Sequence, residues 1–205
     1  MAKSFLATAY ALDGPEAVTA FYQDWAASYD AEIEQNGYVT PRRCAEALAG
    51  LATNMAAPVL DLGCGTGLSG LALRAAGFSA IDGVDVSAAM LDQARARECV
   101  YRNLTETSIG APIPAHPGDY AHANAAGVIS PDHAPASTID EILQILPKGG
   151  CLVFSLNDHA LEVAAFPDKV DEVVANGCAD LAFEEYGDHL PGIDLKATVY
   201  GLRKR

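Results

Sequence analysis

The sequence predicts an α/β fold, a three-layer sandwich around a seven-stranded, mostly parallel sheet with a C-terminal antiparallel hairpin. Three observations carry that prediction. Short apolar runs alternate with segments of helical periodicity, and such an order needs right-handed crossovers and hence parallel strands. The first run, Val59 to Leu62, turns on Gly63, Gly65 and Gly67 straight into a helical segment. Near the C-terminus, Ala182 to Tyr186 and Lys196 to Leu202 alternate in polarity and are joined across Gly187 to Asp194, as in a hairpin.

In chain order, Pro15 to about Gln35 carries Val18, Phe21, Tyr22, Trp25 and Tyr29 at helical spacing, and Asn36-Gly37 ends the run. Pro41 opens a second helix reaching Leu51. Pro58 to Leu62 is the first strand, Leu68 to Gly77 a helix, and Ala80 to Val86 the second strand. Ser87 caps a helix to Glu98 that turns Leu91 and Ala94 inward and Asp92, Arg95 and Arg97 outward. Cys99 to Thr105 is expected as the third strand. Pro112, Pro114 and Pro117 make residues 110–118 a loop, and Tyr120 to Ala125 follows as a strand. A helix through Ile139, Ile142, Leu143 and Leu146 stops at Gly149-Gly150. Cys151 to Leu156 is apolar enough for the buried centre of a sheet, and Lys169 to Asn176 is a short helix before the hairpin.

A strand that turns on glycines into a helix brings backbone N–H groups close to a ligand. About twenty residues further on, Asp85 ends the second strand, the position from which a carboxylate meets ribose hydroxyls. A dinucleotide fingerprint would need Gly or Ala at the sixth place from Gly63, where Leu68 stands. The spacing G-x-G-x-G suits a mononucleoside with no pyrophosphate to cradle.

Asp61-Leu62-Gly63-Cys64-Gly65-Thr66-Gly67 followed by Gly83-Val84-Asp85-Val86-Ser87 resembles the class I S-adenosylmethionine-dependent methyltransferases. The resemblance extends to Phe21 through Asp30, to Ala126 through Ser130, and to Glu141 through Phe154 with Pro147-Lys148-Gly149-Gly150. Within the class it looks closest to the Williams-Beuren region methyltransferase-like proteins. It implies a Rossmann-like core over residues 55–205 under an N-terminal helical lid, residues 1–54, in a single methyltransferase domain. It also implies S-adenosylmethionine as methyl donor, held by Asp61, Gly63, Cys64, Gly65, Gly67, Asp85, Val86, Ser108, Ile109 and Ala126. Tyr29 or Tyr38 would stand near the sulfonium, which electron-rich ring faces attract; the plainer reading of that aromatic run is a helix packing on the core. Cys64 is also read as a small side chain facing the strand–helix turn. Two departures stand out: Ser108 takes the place of the acid that meets the adenine amino group, and Ala121 that of an acid at the start of the fourth strand, with Asp119 two positions away.

The donor carries an activated methyl, so the protein supplies positioning, exclusion of water and, for a weakly acidic acceptor, a base. The candidates are His133, in Ser130-Pro131-Asp132-His133, and His159, in Leu156-Asn157-Asp158-His159, with Tyr29 beside the donor; His189 would close the site from the hairpin. Asp132 and Asp158 are equally explained as helix caps. Methyl transfer to a small molecule is the expected function, and a donor-binding regulatory protein the alternative. The formal net charge of −14 opposes nucleic acid and anionic membranes as partners, and Arg203-Lys204-Arg205 is expected as a solvated tail. Five scattered cysteines without a C-x-x-C pair suggest reduced thiols, no metal and, with no leader-like or membrane-length apolar run, a cytoplasmic protein.

Overall fold

The structure is a computed structural model that describes residues 5, 14–131 and 133–205. Asp132, one of the two expected capping acids, lies outside the described residues. Helices α1 (Pro15–Trp25), α2 (Tyr29–Gln35) and α3 (Thr40–Leu51) precede β1 (Val59–Leu62). There follow α4 (Leu68–Ala75), β2 (Ile81–Asp85), α5 (Ala88–Ala96), β3 (Asn103–Glu106), β4 (His122–Ala125), α6 (Thr138–Ile145) and β5 (Cys151–Asn157). The chain closes with α7 (Asp158–Leu161), α8 (Ala165–Ala175), β6 (Ala179–Leu190) and β7 (Leu195–Lys204).

The seven strands lie in the order β3-β2-β1-β4-β5-β7-β6. From β1 the chain runs outward to β3 and returns on the other side to β4, so β1 pairs in parallel with both β2 and β4. The fold thereby opens a crevice at the C-terminal ends of β1 and β4, where doubly wound sheets take ligands. Strand periodicity assigns the two faces. Leu60, Leu152, Phe154 and Leu202 pack with Ile139, Ile142 and Phe166 from α6 and α8. Val59, Val153 and Val199 pack with Leu48, Leu73 and Phe78 on the α3 and α4 side.

Several expectations are corrected. The first helical run is two helices, broken after Trp25, whose carbonyl accepts from Ser28 N at 2.9 Å. The break leaves Trp25 buried against Tyr29, ring centroids 4.7 Å apart, and lets Asp30 of α2 reach Thr66 in the glycine loop. The third strand begins only at Asn103, because Cys99 adopts φ 62 in a turn after α5. Arg97 is drawn inward rather than outward, for reasons given below. The hairpin is longer than expected, with Gly187 paired to Ala197 inside it and the turn at Pro191–Ile193. Arg43 holds this extension from α3, donating to the carbonyls of Glu185 and Asp188 at 2.8 Å. Asn157 caps the additional helix α7 through Ala160 N at 2.9 Å, and α8 begins before Lys169. Asp158 serves β7 instead, accepting from Lys196 N and Tyr186 OH at 2.9 Å. The basic C-terminus is no solvated tail: Arg203 donates to Leu51 O, Lys204 to Leu146 O, and Arg205 pairs with Asp180. Among the described residues, no helix is long and apolar enough to cross a membrane.

Candidate functional site

The glycine loop stands on the β1–β2 pair. Gly63 N donates to Val84 O at 2.7 Å, and Cys64 N donates to the same oxygen at 3.1 Å. Gly63 has φ 64, and a Cβ there would sit 2.2 Å from Val128 Cγ2, so glycine is required both by conformation and by the segment after β4. Gly65 has φ 53 and nothing within 4 Å of a Cβ position, so its backbone borders open space. Its N–H donates to Asp85 Oδ2 at 2.8 Å, and Ser87 N donates to Asp85 Oδ1 at 2.9 Å. Burial raises the Asp85 carboxyl from its ordinary range, opposed by these backbone N–H groups. Ser87 caps α5 as expected, accepting from Met90 N at 3.3 Å, and Gln23 of α1 accepts from Ala89 N at 2.9 Å.

A cavity of about 1110 Å³, counted with the open solvent at its mouth, occupies the crevice. Of the residues singled out from the sequence, Gly63, Gly65, Asp85, Val86, Ser108, Ile109, Ala126, Tyr29, Tyr38 and His133 line it. Four others do not. Asp61 is fully buried beneath the loop, accepting from Ser69 Oγ at 2.6 Å, Tyr101 OH at 2.7 Å and Asn124 Nδ2 at 2.8 Å. Burial outweighs those bonds and pushes its carboxyl up to about 6. The Cys64 thiol faces β2, 2.8 Å from where a Gly83 Cβ would stand, and burial raises it far above the ordinary thiol range. Gly67 makes the left-handed N-cap of α4 against Arg97 and Tyr101. His159 is exposed on α7.

His133 has both ring nitrogens partnered, Nδ1 with Ser130 Oγ and Nε2 with Tyr22 OH, each at 2.7 Å. This draws α1 onto the loop after β4. A second tie runs from α2 to the glycine loop. Asp30 accepts from Thr66 Oγ1 at 2.6 Å and pairs with Arg97, whose Nε donates to Thr66 O at 2.6 Å. That pairing is what turns Arg97 inward. A smaller inner cavity adjoins the first through Tyr29, Tyr38, Gly127 and His133. His189 lines it, almost wholly buried, with Nδ1 on Thr40 Oγ1 at 2.7 Å. Burial lowers its imidazole to about 4.

Sequence reasoning missed Tyr22, Thr40 and Glu141 as neighbours of the site. Tyr22 was visible only as one aromatic of a helical run, and nothing local links it to His133, 111 positions away. Ala121 lies at the N-terminal end of β4, its N–H on Pro58 O, at the opposite end of the strand from the cavity. Asp119 closes an exposed turn on His116 N at 2.7 Å.

The glycine cradle, the acid at the end of β2 and the strand order together define a Rossmann-like nucleoside-binding fold. Residues 59–150 match the methyltransferase domain family. The human methyltransferase-like protein 27 (Homo sapiens) is 34% identical over 147 residues, covering 69% of this chain and 59% of that protein. Trans-aconitate 2-methyltransferase of Enterobacter sp. (strain 638) is 33% identical over 167 residues, 78% of this chain and 60% of that enzyme. The chain thus spans about three fifths of the length of these relatives. In fold it superposes on magnesium protoporphyrin IX methyltransferase from Synechocystis PCC 6803 with bound S-adenosylmethionine. There the TM-score is 0.66 at 16% identity, covering 95% of this chain and 99% of that one. Residues 59–150 thus match a methyltransferase domain, and S-adenosylmethionine is the donor such a domain implies. Gly65, open to the cavity beside the Asp85 carboxylate, fits the nucleoside end of that donor.

Proposed function

We propose that this protein transfers the methyl group of S-adenosylmethionine to a small-molecule acceptor, as a single domain in which residues 1–54 form the lid over residues 55–205. One observation carries the reading: the glycine cradle with Asp85 and the partnered imidazole of His133 line the same cavity. Asp85 takes the ribose hydroxyls, Ser108 and Ile109 the adenine edge, and Tyr29 and Tyr38 flank the sulfonium, with Val86 and Ala126 completing the wall. Asp61, Cys64 and Gly67 shape the loop from behind rather than touch the donor. When bound, the donor supplies an activated methyl, so the chain needs no nucleophile of its own. His133, oriented by Ser130 and Tyr22, receives the acceptor's proton; exposed His159 has no part. The likeness to methyltransferase-like protein 27 supports placement in the Williams-Beuren region subgroup. Five unpaired cysteines suit a reducing, cytoplasmic setting, and the net charge of −14 disfavours nucleic acid.

Titration calorimetry with S-adenosylmethionine, its demethylated product and NAD tests the donor: binding of the first two and not the third is expected, and their failure to bind rejects the reading. A donor-binding protein without turnover now rests on Ser108 alone, since Ala121 lies at the far end of β4. Labelled methyl appearing on any small acceptor rejects that alternative.

A further inference from the structure

Methyl transfer leaves the acceptor open, and the two cavities constrain it by charge. Among the described residues, the only charged side chains lining the larger cavity are Asp85 and Glu141, both acidic, and no Lys or Arg lines either cavity. The inner cavity, about 500 Å³ counted with the open solvent at its mouth, has no Asp, Glu, Lys or Arg among its described lining residues. Its polar groups are Ser130, His133, Ser155, Asn157 and His189, set among the rings of Trp25, Tyr22, Tyr29 and Tyr38. Several of those polar atoms are committed. Ser155 Oγ accepts from Gly127 N at 2.8 Å, and Asn157 Oδ1 accepts from Ala160 N at 2.9 Å. His189 Nδ1 is held by Thr40, leaving Nε2 as the ring nitrogen to meet a ligand. Apart from the donor's own sulfonium, an anionic group brought here would meet no cation among the described lining residues and would lie beside a cavity that is already acidic, which opposes its burial.

We infer that the inner cavity takes the reacting end of a small, uncharged, planar N–H or O–H acceptor, of the phenol, aromatic amine or imidazole class. Carboxylates and phosphates are excluded, including the tricarboxylate that one relative at 33% identity is named for. The inference rests on the methyltransferase reading above. In the step, the acceptor's lone pair forms the new bond to the methyl carbon, the electron pair of the broken S–C bond stays on the donor sulfur, and the acceptor's proton passes to the hydroxyl, of Tyr22 or Ser130, that gives its own proton to the unprotonated nitrogen of His133. The aromatic rings supply faces for a planar body, and the neutral His189 imidazole supplies a hydrogen bond without a charge.

The test uses the full chain in two stages. Calorimetry with S-adenosylmethionine comes first, and absence of binding there overturns the methyltransferase reading itself. With the donor bound, labelled-methyl transfer is measured to phenol, aniline, imidazole and trans-aconitate. Transfer to at least one of the first three and none to trans-aconitate is the expected result. Transfer to trans-aconitate, or silence from all three uncharged probes while the donor binds, overturns the acceptor class and leaves the donor site standing. His189→Asn, which keeps a partner for Thr40 and removes the Nε2 group, then locates the site: the acceptor KM is expected to rise about tenfold, the loss of one hydrogen bond, with donor Kd unchanged. An unchanged KM removes the inner cavity from acceptor recognition. Because His189 is buried, the thermal transition of the variant is recorded alongside, and His189→Gln, whose amide lies near the Nε2 position, is the second variant: its acceptor KM is expected to stay nearer the parent's, and an equal rise in both variants would overturn the Nε2 contact.

Discussion

Asp61 and Asp85 stand near the C-terminal ends of neighbouring strands, on either side of one glycine loop, and burial raises both carboxyls. Their surroundings differ in kind. Beneath the loop, Asp61 is held by three side chains, Ser69, Tyr101 and Asn124, and reaches no cavity. On the loop's open face, Asp85 is held by the backbone N–H groups of Gly65 in the loop and Ser87 at the N-cap of α5, and lines the cavity. Donors from side chains enclose a carboxylate, whereas donors from the backbone leave its remaining lone pairs facing outward. The same residue type in one motif therefore builds the floor in one case and the ligand wall in the other.

The strongest way to break this comparison is at the glycine between the two regions. Gly63→Ala places a methyl 2.2 Å from Val128 Cγ2 at φ 64, and overpacking together with the left-handed backbone should cost about 3 kcal/mol of stability. Donor affinity should fall with it. Chemical denaturation checks the stability loss, and partial rescue by adding Val128→Ala would assign it to that contact.

Next comes pH. The Asp61 carboxyl is raised in the fold from 3.8 to about 6, so its contribution is fully present below pH 3.8 and is lost as pH rises through 6. Over that window it changes stability by roughly 2 to 3 kcal/mol, with the charged form the less favourable. Asn124 Oδ1 is buried without a partner, and a half-turn of that amide would offer the added proton an acceptor. Urea titrations at pH 5 and pH 7 should show a smaller difference for Asp61→Asn than for the parent chain; equal differences would remove Asp61 as the source.

Asp85→Ala should weaken donor binding by about 2 kcal/mol, the usual loss of a charge-assisted hydrogen bond. Asp61→Asn should leave the donor Kd unchanged, and calorimetry on the two variants side by side decides whether floor and wall are separable. The smallest expected effect lies in the tie from α2. Asp30→Ala removes a partly exposed pair with Arg97 and the hydrogen bond accepted from Thr66, about 1 kcal/mol. A few-fold faster donor release in stopped flow is the outcome to look for, and it should shrink at high salt in the parent chain.

How much could be read beforehand divides along the same line. The loop, its glycines and Asp85 were legible because strand, turn, helix cap and acid lie close together along the chain and each has local chemistry. The boundaries of β3, the break after Trp25 and the length of β6 were not, because a turn at Cys99, the burial of one indole and the reach of Arg43 set them. His133 was legible as a polar residue after β4, whereas Tyr22, the residue on its ring, was not. Asp61 and His159 show the converse: motif position and sequence proximity suggested a site, and burial in one case and exposure in the other took them out of it.

By itself, then, the sequence determined the parallel sheet, the nucleoside-type loop and the acid beside it, since these follow from periodicity, from glycine's freedom at positive φ and from the order of elements. The tertiary structure alone decided which of two aspartates faces the cavity, which tyrosine meets His133, and that an inner chamber with no Asp, Glu, Lys or Arg among its described lining residues lies behind the loop after β4. Those features depend on residues far apart in the chain being packed together, 40 and 63 positions at Asp61, 111 at His133 and 149 at His189, and on the burial that sets the ionisation of Asp61 and His189, neither of which any local pattern records.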